Sequence, residues 1–256
     1  MFNVILNPVI KMKEKIYTIP VNEAFDESTK CPLCYLRQKL EKEAVDYALG
    51  AAMMEPDYRI VSNEKGYCNR HFSMMLPKKE KLSLALVLET HMDEVLKKLQ
   101  TVNNELSSIK EEKSSIFKRK ASASPEGMAE KIADITSSCV ICDKINSTME
   151  RFVGVVFYLW EKEEDFRQKL INSKGFCLPH LKILTDGAFK TLGKKKACEF
   201  LETVYEKEKA ELYKLREDVH KFTLKFDYRN AGEKWGSEID APKRCIERLS
   251  SYILEE

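Results

Sequence analysis

The stretch Ser62–His71 reads SNEKGYCNRH, and Ile171–His180 reads INSKGFCLPH. Both spell Asn-x-Lys-Gly-aromatic-Cys-x-x-His. A C-x-x-C pair stands upstream of each: Cys31 and Cys34 before the first, Cys139 and Cys142 before the second. The intervals agree too, with 33 residues between Cys34 and Cys68 and 34 between Cys142 and Cys177. Asp57-Tyr58-Arg59 is matched by Asp165-Phe166-Arg167. Recurrence on this scale reads as a duplicated unit of roughly 108 residues.

Each unit reads as helical. Leu33–Met54 carries apolar residues at helical spacing and stops at Pro56. After Pro77 a long helix is expected, with Leu88, Met92, Leu96, Leu99, Val102, Leu106 and Ile109 among its apolar positions. The second unit should repeat this with helices over Val140–Glu161, Leu178 to about Thr191, and Lys194 to about Phe226. On the last, Leu201, Tyr205, Leu212, Leu215, Val219, Phe222 and Phe226 follow 4-3 spacing, which Glu208 interrupts. That stripe is read as the buried face of a bundle helix rather than a coiled-coil seam. The fold class expected is mainly α: duplicated helical-hairpin units with paired Cys3His metal sites and a short extended N-terminal arm.

The boundaries follow from composition. Residues 1–30 form the N-terminal arm, in which the alternation of Lys13–Phe25 suggests a short strand or extended segment. Residues 31–113 are the first repeat and 131–226 the second. Residues 114–130, small and polar and broken by Pro125 and Gly127, are the linker. Residues 227–256 form a C-terminal loop and helix, with Asp240 placed to cap and Pro242 at an early helical position.

Global composition removes several function classes. Of 256 residues, 43 are Lys or Arg and 41 are Asp or Glu, so a formal charge of +2 provides no general attraction for nucleic acid. Lys118-Arg119-Lys120 is too small a basic run to change that. The longest apolar run, Val153–Trp160, is less than half of the ~20 residues of a membrane span. The first residues have no basic start or cleavage site of a signal peptide, which suggests a cytoplasmic address. Eight cysteines in such a chain do not resemble a secreted disulfide scaffold.

Six of those cysteines and two of the four histidines fall into the repeated sets. The candidate metal ligands are Cys31, Cys34, Cys68, His71, Cys139, Cys142, Cys177 and His180. A tetrahedral site needs pairs of soft donors converging from one turn, and C-x-x-C or C-x-x-H at a helix start provides that. Cys31 and Cys139 each directly precede an expected helix, whose N-terminal partial charge favours thiolate over thiol. Gly66 and Gly175 are read as positive-φ positions that turn the backbone ahead of each C-x-x-H. Zinc, one ion per set, is the expected cofactor, with iron or an iron–sulfur cluster as the alternative. Lys30, Lys65 and Lys174, beside ligands in the chain, could offset the charge of about −1 on a site with three thiolates and Zn²⁺.

The 33- and 34-residue gaps allow a there-and-back path, so each unit is expected to close its own site, Cys31/Cys34 with Cys68/His71 and Cys139/Cys142 with Cys177/His180. The crossed arrangement, Cys31/Cys34 with Cys177/His180, stays open. Cys198 and Cys245 are read as small buried hydrophobes, and His91 and His220 as surface or packed histidines. No triad, phosphate loop, dinucleotide fingerprint or zincin motif is present in the sequence, so no catalytic residue is assigned.

CPLCYLRQKLEKEAVDYALGAAMMEPDYR, EKGYCNRHF, the SCVIC…GFCLPH set, the opening KEKIYTIPVNEAFD and the closing KFDYRN…DAPKRCIERL together resemble an uncharacterised bacterial family, catalogued as domain of unknown function 6062. The resemblance runs over nearly the whole chain from about Lys11, and such proteins tend to begin near MKEKIYT, here at Met12. It implies metal sites and a bacterial cytoplasmic home, and no reaction. The function expected is a zinc-stabilised interaction or regulatory module with an unidentified protein partner, neither membrane-bound nor a nucleic-acid binder. A redox- or metal-responsive protein is the alternative.

Overall fold

The structure is a computed structural model that describes residues 8–27, 30–112, 125–230 and 234–252. It is mainly α-helical, with no strand among the described residues. In chain order the helices are α1 (Pro8–Asp26), α2 (Pro32–Leu49), α3 (Pro56–Lys65), α4 (Asn69–Met75), α5 (Lys81–Glu112), α6 (Pro125–Ser137), α7 (Val140–Lys162), α8 (Glu164–Asn172), α9 (Leu178–Thr191), α10 (Lys194–Leu224) and α11 (Ala241–Ser250). Short 3-10 turns occur at Ala51–Met54, Tyr228–Asn230 and Ser237–Asp240. The order that follows Cys31 recurs after Cys139: long helix, short helix, a helix opened by Cys-x-x-His, long helix.

The chain divides into two compact units, one made of Met1–Lys39 and Ser147–Glu256, the other of Leu40–Asn146. In the first, α1 lays Val21, Ala24 and Phe25, all buried, against α8. The Phe25 ring sits 4.8 Å from Phe166. From α7, Phe157 and Trp160 meet Phe200 of α10 edge-on at 5.2 and 5.3 Å. Each such ring, taken fully out of water, contributes about 1.5–3 kcal/mol. In the second unit α3 packs along α5. Arg59 ties the two helices together by donating to the Leu86 carbonyl at 3.2 Å and to Thr90 Oγ1 at 2.7 Å.

Four expectations need correction. The N-terminal arm is not extended from Pro8 onward: α1 runs through Pro20, because Val21, Ala24 and Phe25 fall on one helical face and gain more by burial than the interrupted hydrogen bond costs. The linker reading of 114–130 is shortened from its far end, since helix begins at Pro125; residues 114–124, with the Lys118–Lys120 run, lie outside the described residues. On α10 the 4-3 stripe is only partly the buried face: Leu201 and Leu215 are buried and Leu212, Val219 and Phe222 half-buried, but Tyr205 and Phe226 are exposed, while Ala197, Phe200, Val204 and Glu208 outside the stripe are buried. Cys198 is exposed and Cys245 half-buried, so neither is a core cysteine.

Candidate metal centres

Four helices begin on a cysteine of the repeated sets. Cys31 and Cys139 directly precede α2 and α7, and Cys68 and Cys177 are the N-cap residues of α4 and α9. In each case the second member of the pair stands three residues on, in the first helical turn, so both side chains leave the same end of the same helix. Helix N-termini carry partial positive charge, which stabilises thiolates placed there. Gly66 and Gly175 do take positive φ, 65° and 83°. A Cβ at Gly66 would lie 2.3 Å from His91 Nε2, and one at Gly175 would lie 2.6 Å from Glu208 Oε2. The positive φ favours glycine at both turns, and a Cβ there would in addition have to displace the His91 ring or the Glu208 carboxylate.

The eight candidate ligands gather into two groups of four, and the pairing is crossed. Cys31, Cys34, Cys177 and His180 form one group, and Cys68, His71, Cys139 and Cys142 the other; within each, the donor atoms lie within 4.8 Å of one another, and either group could hold a metal ion. The expected closure of each site within its own repeat is thus overturned. All four residues of the first group belong to the 1–39/147–256 unit and all four of the second to the 40–146 unit. The reason is geometric: α2 carries the chain away from Cys31 and Cys34, and α3 returns along α5 rather than back to the start of α2.

In the first group, Cys34 Sγ is 3.5 Å from Cys177 Sγ, and Cys31 Sγ is 4.0 Å from it. His180 presents Nδ1, at 3.5, 3.3 and 3.1 Å from the sulfurs of Cys31, Cys34 and Cys177. In the second group Cys68 Sγ and Cys142 Sγ are 3.7 Å apart, and His71 Nδ1 lies 3.2, 3.3 and 3.5 Å from Cys68, Cys139 and Cys142. For a tetrahedron with metal–sulfur bonds of about 2.3 Å and metal–nitrogen bonds of about 2.05 Å, the edges come to about 3.8 Å for S···S and about 3.6 Å for S···N. The nine distances just given match those edges to within about half an ångström, and every pair of donor atoms in a group lies within 4.8 Å.

Electrostatics inside the groups show what an ion would relieve. Burial pushes the Cys31 thiol up, and hydrogen bonds from the Cys177 and Cys31 thiols pull Cys34 down, so without a cation negative charge collects on one sulfur. Burial alone would lower His180, but the sulfurs of Cys177 and Cys34 hold it up at about 9. Burial likewise raises Cys139 and Cys142. Three thiolates and a neutral imidazole coexist in this space only around a cation.

The surrounding residues differ between the two groups. Beside the first, Glu208 is buried and its Oε2 accepts the Phe176 N–H at 2.9 Å. Arg248 of α11 donates to Glu208 Oε2 at 3.2 Å, to the Phe176 carbonyl at 3.0 Å and to the Lys174 carbonyl at 2.7 Å. That clamp fixes the turn which delivers Cys177. Beside the second, Glu41 is buried, accepts a fork of contacts from Arg70, and places Oε1 3.9 Å from His71 Nε2, on the side of the ring away from the sulfurs. A carboxylate behind a ligating imidazole orients the ring and raises its basicity.

Sequence reading missed these supports. Their one signal was an acid in an apolar register, visible for Glu208 in the α10 stripe. Two of the lysines expected to offset site charge are paired with carboxylates, Lys30 with Glu247 and Lys65 with Asp143. His91 Nδ1 donates to the Asn63 carbonyl, 2.7 Å away, and the ring packs against Gly66.

No helix among the described residues is long and apolar enough to cross a membrane. No curated protein and no solved structure matches the chain. The repeated metal-ligand sets, the helices they open and the tail that follows all fall within residues 12–256, which match the model of a family of unknown function, DUF6062, and the chain belongs to that family.

Proposed function

We propose that the protein binds two zinc ions, one in each Cys3His group, and that the ions hold together a helical interaction or regulatory module. The observation that carries this reading is the spacing of the donor atoms. Donor distances of 3.1–4.0 Å along nine of the twelve edges, with all donors within 4.8 Å, fit one ion at the centre of four ligands. A polynuclear iron–sulfur cluster would interpose several irons and hold its cysteines farther apart, so the spacing disfavours that alternative. Four protein ligands leave no open position for a substrate, which favours a structural over a catalytic role. What supports the interaction half of the reading is the apolar exposure along α5, where Leu88, Met92, Leu96 and Leu99 stand in solvent.

Elemental analysis of reduced, freshly purified protein tests the proposal. The expected result is two zinc ions per chain and no visible absorption band. Iron in place of zinc, with colour, would favour the redox alternative; one ion or none per chain would reject the two-centre reading.

A further inference from the structure

The two centres differ in how they are covered. In the first, all four ligands are buried: Cys31, Cys34, Cys177 and His180 are between 1% and 8% exposed. The cover is α11, which packs on α9 and α10. Arg248 locks it to the ligand turn, Glu247 pairs with Lys30 next to Cys31, and Ser251 sets Oγ 3.4 Å from Cys34 Sγ. Ser251 takes φ of 81°, a left-handed conformation unusual for a side chain with a Cβ, just where it meets that sulfur. In the second centre Cys139 and His71 are buried, but Cys68 and Cys142 are half-buried.

Those two half-buried sulfurs are also neighbours, 3.7 Å apart. A disulfide needs about 2.05 Å, so an approach of about 1.7 Å would join them. Cys68 is the N-cap residue of α4 and Cys142 stands in the first turn of α7. Cys139 is the less apt partner: it is 3% exposed and its sulfur accepts the Cys142 N–H at 3.4 Å.

We infer that the Cys68–His71–Cys139–Cys142 centre is an oxidant-responsive site for hydroperoxides, while the α11-covered centre is inert and structural. The inference rests on the metal-binding reading above. In the reaction one thiolate attacks a peroxide oxygen, the O–O bond breaks, and the released hydroxide takes a proton to leave as water. The resulting sulfenic acid is attacked by the second thiolate, an S–S bond forms, and a second hydroxide leaves as water after protonation. Two thiolates are oxidised by two electrons and one hydrogen peroxide is reduced to two waters. With two of its four ligands in a disulfide, the centre no longer holds its ion.

The test uses the full chain, reduced and metal-loaded, with Cys198→Ala and Cys245→Ala so that only ligand thiols report. Metal content is measured first, then hydrogen peroxide is added, ion release is followed with a chromogenic chelator, and disulfides are mapped by peptide mass. Expected is a starting content of two ions, with one released at least about tenfold faster than the other. The fast phase should coincide with a Cys68–Cys142 disulfide while Cys31, Cys34 and Cys177 stay unmodified. A thiol reductant and fresh metal should restore the original content. Equal release of both ions, first oxidation at Cys31, Cys34 or Cys177, or a Cys139–Cys142 bridge in place of Cys68–Cys142 would overturn the inference while leaving the metal reading standing. A starting content below two ions would overturn both.

Discussion

At the scale of single residues, glycines separate torsional need from mere smallness. Gly175 holds φ of 83° and faces Glu208 Oε2, whereas Gly154, inside α7, has nothing within 4 Å of a built Cβ. Gly154→Ala should therefore stabilise the fold by about 0.5–1 kcal/mol, the helix-propensity gain. Gly175→Ala should cost about 2–4 kcal/mol, combining a left-handed alanine with displacement of the Glu208 carboxylate. Denaturant unfolding of the metal-loaded variants measures both, and equal effects would mean that the turn before Cys177 is not under strain. Gly66 and Gly175 were legible in sequence because they recur at the same offset from a ligand. Glu41 and Arg70 were not, because each sits among other charges and only the fold brings them behind His71.

Among the elements, α11 has the most consequence for its size. It is attached through Arg248, whose guanidinium is 9% exposed and meets a Glu208 carboxylate that is 3% exposed. Burial raises the pKa of Glu208, and the Phe176 N–H and Arg248 draw it back down. Removing Arg248 leaves that carboxylate buried beside two unclaimed carbonyls, so Arg248→Ala should cost about 3–5 kcal/mol. Arg244→Ala, which breaks pairs with Asp240 and Asp218 nearer the surface, should cost about 1 kcal/mol or less. Thermal denaturation compares the two, and Arg248→Ala should also speed alkylation of Cys34 and Cys177. If the two arginine variants behave alike, α11 is not clamped to the first centre.

The helix starts after Cys31, Cys139 and Cys177 were readable from the apolar spacing that follows them, helped by Pro32 and Pro179, whereas the short α4 after Cys68 was not. The α1 helix escaped that reading because Pro20 and the β-branched Ile16, Thr18 and Ile19 imitate an extended segment. Ile16 and Ile19 are in fact exposed, and the decisive residues are Val21, Ala24 and Phe25. Which way each ligand pair turns was not legible for a different reason. The two repeats present nearly equal ligand sets at nearly equal intervals, so spacing alone is degenerate between within-repeat and crossed closure. Long-range packing breaks the tie: α3 runs along α5, and Phe25 bridges Phe166 and Phe176, placing the Cys177 turn by the start of α2.

For the whole molecule, crossed closure means that each centre joins segments far apart in the chain, Cys31 and Cys177 being 146 positions apart and Cys68 and Cys142 74. An ion so placed closes long loops, and its loss should loosen a whole unit rather than one turn. The same sites should respond to pH. Cys31, Cys139 and Cys142 are raised in the metal-free fold and His180 is raised to about 9, so binding an ion must expel protons from them. Proton release on binding makes affinity climb as pH rises. Competition against a chelator should show affinity increasing by more than about tenfold between about pH 6 and about pH 9, and an affinity flat across that window would contradict the ligand assignment.

The pairing itself is tested most directly by thiol alkylation mapped residue by residue in the metal-loaded Cys34→Ser variant. Opening the first centre should make Cys31 and Cys177 reactive together, with Cys68, Cys139 and Cys142 no faster than in the parent protein. The contrary result is equally clear: if Cys68 becomes reactive along with Cys31 while Cys177 stays protected, the centres close within the repeats and the crossed architecture is wrong.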